Sequence, residues 1–340
     1  MTGVRWEERL PAESSPSFDR LTYGRTVERG WVHRAAVSEV FITDLADIDS
    51  EQTAVAAQLP VGHGYFLDTA GAPRYGIALL GECARQASTA VAHRRAGVPA
   101  GWTFLMMSTS FRLYGAAPPP VGPRPAQLAM LVRMRREHRA GAVRAVDSTI
   151  DLWLGGEPVA QATGRTRLVT GEEYEFLRSD IDEVAPLTSD ALPEPPGGTV
   201  APALVGRRDP RNVLVADVRR DGDTVRARLA ISGRHPTIFD HPLDHYPGSA
   251  LIEAASQVAR ILVGAGPAQV GFRADFGRFA VLDAPIELTG QRAEAGCAVE
   301  VSQHGRPVAT VTVDLAPAPA GEELAPTAPG RPGTASARSA

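Results

Sequence analysis

Two segments of this chain carry carboxylates, amides and basic groups at spacings that could move protons. In the first, LLGECARQAS (79–88), Glu82, Arg85 and Gln86 fall three and four residues apart, on nearly one face of a helix. In the second, DHPLDHYPGSALIEAASQ (240–257), His241 and His245 precede Gly248, Glu253 and Gln257. Glu82 and Glu253 each sit about one turn into an apolar helical stretch, where the helix dipole and desolvation pull a carboxylate in opposite directions. Either could act as a general base, or could simply be a favourable dipole partner. The planar guanidinium of Arg85 could clamp a phosphate, orient the carboxylate, or form an ordinary i,i+3 ion pair. His241 could serve in proton transfer, as imidazoles commonly do, or it could be a structural cap of a tight loop. His241 and His245 are divided by Pro242 in a turn-rich loop, so they do not share a helix face as a metal pair would. His241 is preferred over His245, with Asp240 and Asp244 expected to hold the loop by hydrogen bonds to its backbone. Gly248 permits close backbone approach at a helix start. Glu82, His241 and Glu253 are therefore the catalytic candidates, and Arg85, Gln86, Gly248 and Gln257 the substrate-binding ones. No metal site and no cofactor is expected.

The elements that must position these residues occur twice. GHGYFLDTAGAPRYGIALLGECARQAS (62–88) aligns with GRHPTIFDHPLDHYPGSALIEAASQVA (233–259) after one single-residue gap. His63, Asp68, Glu82 and Gln86 match His235, Asp240, Glu253 and Gln257 in order. Apolar periodicity predicts one long helix per half, over 77–93 and 249–262. Ahead of each lie two β-rich runs, 36–46 with 52–59 and 212–220 with 223–231, the latter pair joined at Asp221-Gly222. Alternating segments after each helix read as strands of an antiparallel sheet. A sheet with one apolar face and one central helix per half buries both faces only if the sheet curves around the helix. The expected fold class is α+β, a tandem double hotdog. The Pro/Gly-rich stretch 185–204 divides the halves. The expected organisation is an extension at 1–30, hotdog domains at 31–184 and 205–315, the linker between them, and a disordered tail at 316–340.

Composition excludes several chemistries. The 340 residues contain no lysine, which removes Schiff-base, pyridoxal phosphate and Walker-type phosphate-loop mechanisms. No G-x-G-x-x-G, G-x-S-x-G or H-E-x-x-H occurs. A net charge of −4 without long runs of one sign argues against nucleic acid as a partner. No stretch approaches the roughly 18 apolar residues of a spanning helix, so no membrane association and a cytoplasmic location are expected. Cys83 and Cys297 lie far apart in apolar segments and read as buried thiols.

Three blocks give the chain a family resemblance. DHPLDHYPGSALIEAASQ (240–257) resembles the motif D-H-P-x-D-H-x-P-G-x-x-x-x-E-A-A-x-Q of the A-factor synthase (AfsA-like) hotdog family. VHRAAVSEVFITD (32–44) is similar to that family's V-H-x-x-x-V-x-E-V-F-x-T-D, and GECARQA (81–87) to its first E-A-x-R-Q helix. The resemblance implies transfer of a β-ketoacyl group from acyl carrier protein to the hydroxyl of dihydroxyacetone phosphate, on the way to a γ-butyrolactone or furan-type signal. Such a reaction needs a base, oxyanion donors and a cation for the phosphate; free N–H groups at Gly248 could face a thioester oxygen. The family usually places a second arginine where this chain has Ser256. That departure keeps a non-catalytic binder of an acyl thioester or butyrolactone open. The P-G-x-x-x-x-E-A spacing, similar to hotdog acyl-carrier-protein dehydratases, keeps a dehydratase or hydrolase open as well. The dehydratase likeness further implies that the His241 loop meets the Glu82/Arg85 helix across the two halves. The tandem repeat and the open edge of each curved sheet lead to the expectation that the halves pack as an intramolecular pseudo-dimer, the protein being a monomeric pseudo-dimer or a homodimer.

Overall fold

Alternating apolar residues in both halves pair into one antiparallel sheet that continues without a break through the molecule. The computed structural model describes residues 18–179, 187–195, 197–264 and 266–316. The first half contributes β1 (Ile42–Asp47), β2 (Gln52–Leu59), α1 (Ile77–Arg95), β3 (Thr103–Leu113), β4 (Ala126–Arg139), β5 (Ala142–Leu154), β6 (Glu157–Val169) and α2 (Gly171–Ser179). The second contributes β7 (Val215–Asp221), β8 (Thr224–Leu229), α3 (Gly248–Val263), β9 (Ala268–Phe276), β10 (Glu287–Ala293), β11 (Gly296–Gln303) and β12 (Arg306–Ala316). The strand order is β1-β2-β4-β5-β6-β3-β9-β12-β11-β10-β8-β7. Reading inward from either edge gives the same succession of elements, so the repeat becomes a pseudo-dyad between β3 and β9. Those two strands pair from Ser108 opposite Asp275 to Arg112 opposite Gly271, with Phe111 stacked on Phe272 at 6.3 Å. The expected double hotdog is the fold observed, the paired central strands replacing two open edges.

Each helix lies on the concave face of its own half. α1 packs on β1, β2, β4 and β5, and α3 on β8, β10, β11 and β12. Arg94 and Arg95 occupy the last turn of α1, where cations complement the exposed carbonyls. Burial pushes the Cys83 thiol well up, so it stays protonated in the core. Gly290 on β10 lets α3 approach closely, because a Cβ there would sit 2.4 Å from Val258 Cγ1 and 3.3 Å from Cys297 Sγ. Gly290→Ala should therefore destabilise the protein by about 1–3 kcal/mol through overpacking. Denaturant unfolding checks this, and an unchanged midpoint would mean that the helix yields without cost.

Three boundaries differ from those expected. The first hairpin strand of each half begins late, at Ile42 and Val215, after single turns at Val37–Glu39 and Pro210–Asn212. The cause is side-chain competition: Phe41 and Leu214 donate their N–H groups to the amide oxygens of Gln86 and Gln257. The N-terminal residues 18–23 are more than an extension, since Phe18, Leu21 and Tyr23 cover Ala54, Ala129, Leu131 and Trp153 on the outer sheet face. The stretch expected as a tether is docked on the second half over its described residues. Ser189 is buried and donates its N–H to Leu243 O at 2.8 Å, while Thr199 bridges Ala216. Apart from Ala316, which ends β12, the expected tail lies outside the described residues. No helix among the described residues is long and apolar enough to cross a membrane.

Candidate active site

The first turns of α1 carry Glu82 into an interior of donors. Arg85 grips the carboxylate with Nε at 2.8 Å and Nη2 at 2.7 Å, and Gln86 Nε2 donates at 2.7 Å. The third partner comes from elsewhere: Arg34, on the turn before β1, reaches Glu82 Oε1 with Nη2 at 2.7 Å. Burial pushes the Glu82 pKa up, but Arg34, Arg85 and the hydrogen bonds outweigh it and hold the group down at about 2. A carboxylate that acidic is a poor proton acceptor near neutrality. What it does well is to anchor two arginines.

Arg34 also crosses to the second half. Its Nη1 donates to Thr237 O at 3.0 Å and lies 3.5 Å from Asp240 Oδ1. Asp240 accepts the backbone N–H of Ala35 at 2.8 Å through Oδ2, and its Oδ1 is 2.6 Å from His241 Nδ1. Burial opposes the ionised Asp240, but His241, the Ala35 N–H and Arg34 together hold its pKa below the usual carboxylate range. An Asp–His pair of this kind fixes the imidazole with its proton on Nδ1 and leaves Nε2 as acceptor. His245 is paired likewise with Asp244 at 2.7 Å, and that aspartate is clamped by Tyr174 and Arg178 of α2.

The pseudo-dyad repeats most of this cluster. Arg207 contacts Glu253 at 2.7 Å and donates to Tyr65 O, Gln257 braces Glu253 at 2.8 Å, and Asp68 receives the N–H groups of Arg208 and Asp209. Three things differ. Thr69 stands where the second half has His241, and Ser256 where the first has Arg85. Arg260 lies against Gly206, where a Cβ would sit only 2.7 Å from its Nε.

Two neighbouring spaces meet the first cluster. A cavity of about 220 Å³ runs between α1 and α3, bounded by Ile77, Phe111, Ile150, Ile252 and Phe272 among others, with room for an apolar chain rather than a single water. A wider cleft is lined by Arg34, Arg85, His241 and Gly248, with Arg278 and Arg306 also on its wall. His33, Arg34 and Arg85 line both spaces. Gly248 opens α3 behind Pro247, and its lack of a Cβ accommodates the Phe276 ring, which a methyl would meet at 2.9 Å.

A family model described as the A-factor biosynthesis hotdog domain, AfsA, matches residues 18–170 and 188–318. The chain belongs to the AfsA family. It is 33% identical over 270 residues to the 2-oxo-3-(phosphooxy)propyl 3-oxoalkanoate synthase of Streptomyces virginiae, covering 78% of this chain and 87% of that protein. The synthase of the same name from Streptomyces coelicolor is 30% identical over 262 residues, covering 75% of this chain and 78% of the relative. Among solved structures, the dehydratase domain of a curacin polyketide synthase module is similar with a TM-score of 0.47 and 10% identity, over 81% of this chain and 96% of that one. So distant a likeness says nothing of chemistry. The synthase relatives make this AfsA-family chain an enzyme.

Within the AfsA-family chain, the residues singled out from the sequence divide into two groups. Arg85, His241 and Gly248 come together on one cleft, with Glu82 directly behind Arg85. Glu253 stands in the companion cluster on the other helix. Gln86 and Gln257 require a correction. Both are buried with their amides fully engaged, each accepting one backbone N–H and donating to a backbone carbonyl and a glutamate, so they brace the glutamates rather than touch substrate. His63 and His235 are braces as well, His63 accepting the N–H groups of Tyr65 and Phe66 and His235 those of Thr237 and Ile238. Sequence reasoning missed Arg34 and Arg207, the partners of the two glutamates. The signal was present, since WVHR (31–34) and LVGR (204–207) extend the repeat upstream with arginine at its end.

Proposed function

We propose that this chain transfers a β-ketoacyl group from acyl carrier protein to the hydroxyl of dihydroxyacetone phosphate, in the biosynthesis of a γ-butyrolactone or furan-type signal. The relatives are named as synthases of an ester of that kind, a 3-oxoalkanoate carried on a 2-oxo-3-(phosphooxy)propyl group. The observation that carries the reading is the opening of the Asp240–His241 pair and Arg85 onto one cleft that shares His33, Arg34 and Arg85 with an adjoining apolar cavity.

In this reading the acyl chain fills the cavity and the thioester lies at its mouth. His241 Nε2 takes the proton of the acceptor hydroxyl as the oxygen attacks the thioester carbonyl carbon. The first N–H groups of α3, at Gly248 and Ser249, face the developing oxyanion. Collapse breaks the C–S bond, and the proton on His241 passes to the departing thiolate, so an ester and a thiol replace an alcohol and a thioester. Arg85 and the arginines of the cleft wall neutralise the acceptor's phosphate. Glu82 serves as the anchor of Arg34 and Arg85.

Intact-mass analysis of a β-ketoacyl carrier protein incubated with the enzyme tests this reading. Loss of the acyl group only when dihydroxyacetone phosphate is present, with the matching ester formed, is the expected result. Deacylation without the acceptor would indicate hydrolysis, loss of water from a hydroxyacyl carrier dehydration, and no change with either carrier a binding protein; each would overturn the proposal.

A further inference from the structure

His33 and His93 form a pair that the steps above leave unused. His93 Nδ1 lies 2.8 Å from Val98 O, and a carbonyl only accepts, so that nitrogen carries hydrogen. With both rings neutral, His93 Nε2 is then an acceptor, and His33 Nε2, 2.8 Å away, supplies the hydrogen between them. His33 Nδ1 keeps its lone pair and has no partner among the described residues. Phe104 fixes both rings, its centroid 4.7 Å from that of His33 and 5.0 Å from that of His93. Burial first, then the charge of Arg85, depresses His33 to about 3, so the ring stays neutral.

The pseudo-dyad has no counterpart of this pair in the second half. Counting from the matched arginines and glutamates, His33 corresponds to Gly206 and His93 to Gly264. His33 and Gly206 share the left-handed backbone region, with φ of 53° and 74°. Glycine adopts that region freely and histidine does not. Only the half whose helix faces His241 carries the imidazoles.

We propose that His33 Nδ1 is the binding group for an amide N–H of the thioester arm, next to the thioester itself. This rests on the acyl-transfer reading. His33 lines both the cavity and the cleft, and so stands where acyl chain and arm would meet. A neutral acceptor there needs a donor. The hydroxyl of the acceptor is taken by His241, and ketone and phosphate oxygens are acceptors. The arm of an acyl carrier thioester supplies amide N–H groups a few bonds from sulfur.

The test uses two small β-ketoacyl thioesters, one of N-acetylcysteamine and one of 2-acetoxyethanethiol, in which oxygen replaces the N–H. Wild-type enzyme should prefer the amide in kcat/KM by about tenfold, the worth of one hydrogen bond. His33→Gly, which keeps the backbone conformation, should bring the ratio to about one. His33→Asn, which tolerates that conformation and offers an acceptor, should restore part of it. A wild-type ratio near one, or a ratio unchanged in folded His33→Gly, would overturn the inference. Failure of the wild type to transfer from either thioester or from the carrier would instead overturn the acyl-transfer reading beneath it.

Discussion

Replacing His241 by alanine is expected to slow acyl transfer by about 10²-fold or more, the low end for loss of a positioned acid or base. The fold should survive. The side chain is 39% exposed, and it bonds to the Asp240 carboxylate, which keeps backbone and Arg34 contacts of its own. His245→Ala is the matched control. Its imidazole is also paired with an aspartate, but it packs against Phe279 and shares that aspartate with Tyr174 and Arg178. Single-turnover assays on both variants distinguish the two pairs. Wild-type transfer by His241→Ala would mean that the proton goes elsewhere.

The second large effect is on stability, and it falls on both halves. Glu82→Gln leaves the largely buried Arg34 and the partly exposed Arg85 around a neutral amide, and Glu253→Gln leaves the buried Arg207 without its carboxylate. Removing one member of a buried, hydrogen-bonded ion pair costs about 3–5 kcal/mol. For Glu82 the linkage can be read as pH dependence. Its folded pKa of about 2 lies below the ordinary value of 4.5, so the carboxylate's contribution is fully present above about pH 4.5 and is lost as pH falls toward 2. Roughly 3 kcal/mol is at stake for a shift of that size. Denaturant melts of wild type and Glu82→Gln should therefore converge as the solution is acidified from pH 5 toward 2. A gap that stays constant across that range would show that Glu82 is not the titrating anchor described.

Much of this arrangement was legible in the residues. The repeat landmarks were enough to place α1 and α3, because their apolar positions recur at helical spacing and each is preceded by a glycine or Pro-Gly break. The double hotdog followed from the alternating strands on either side. Arg34 was not legible as a site residue, since its function depends on a turn that brings the start of one half onto the helix and loop of both. Gln86 and Gln257 were misread for a related reason. A polar residue one turn beyond a glutamate looks the same in sequence whether it faces a ligand or a backbone, and only the late start of β1 and β7 reveals that these amides replace strand partners. The docking of 187–195 on the second half was hidden by proline and glycine content, which excludes regular elements without excluding packing.

Acyl transfer is proposed to take place at one working site, where α1 of the first half meets the His241 loop of the second. The decisive measurement is the rate of acyl transfer by Glu82→Gln beside that of Glu253→Gln, both assayed where melts show them folded. Losing Glu82 releases the two arginines that border the cleft, and misplacing a binding group by about an ångström costs on the order of 10²-fold. Losing Glu253 disturbs a cluster that has Thr69 in place of the histidine and Ser256 in place of the arginine. The prediction is a loss of about 10²-fold for Glu82→Gln and less than about tenfold for Glu253→Gln. Abolished transfer in Glu253→Gln with a near wild-type rate in Glu82→Gln would contradict it and move the working site to the other half.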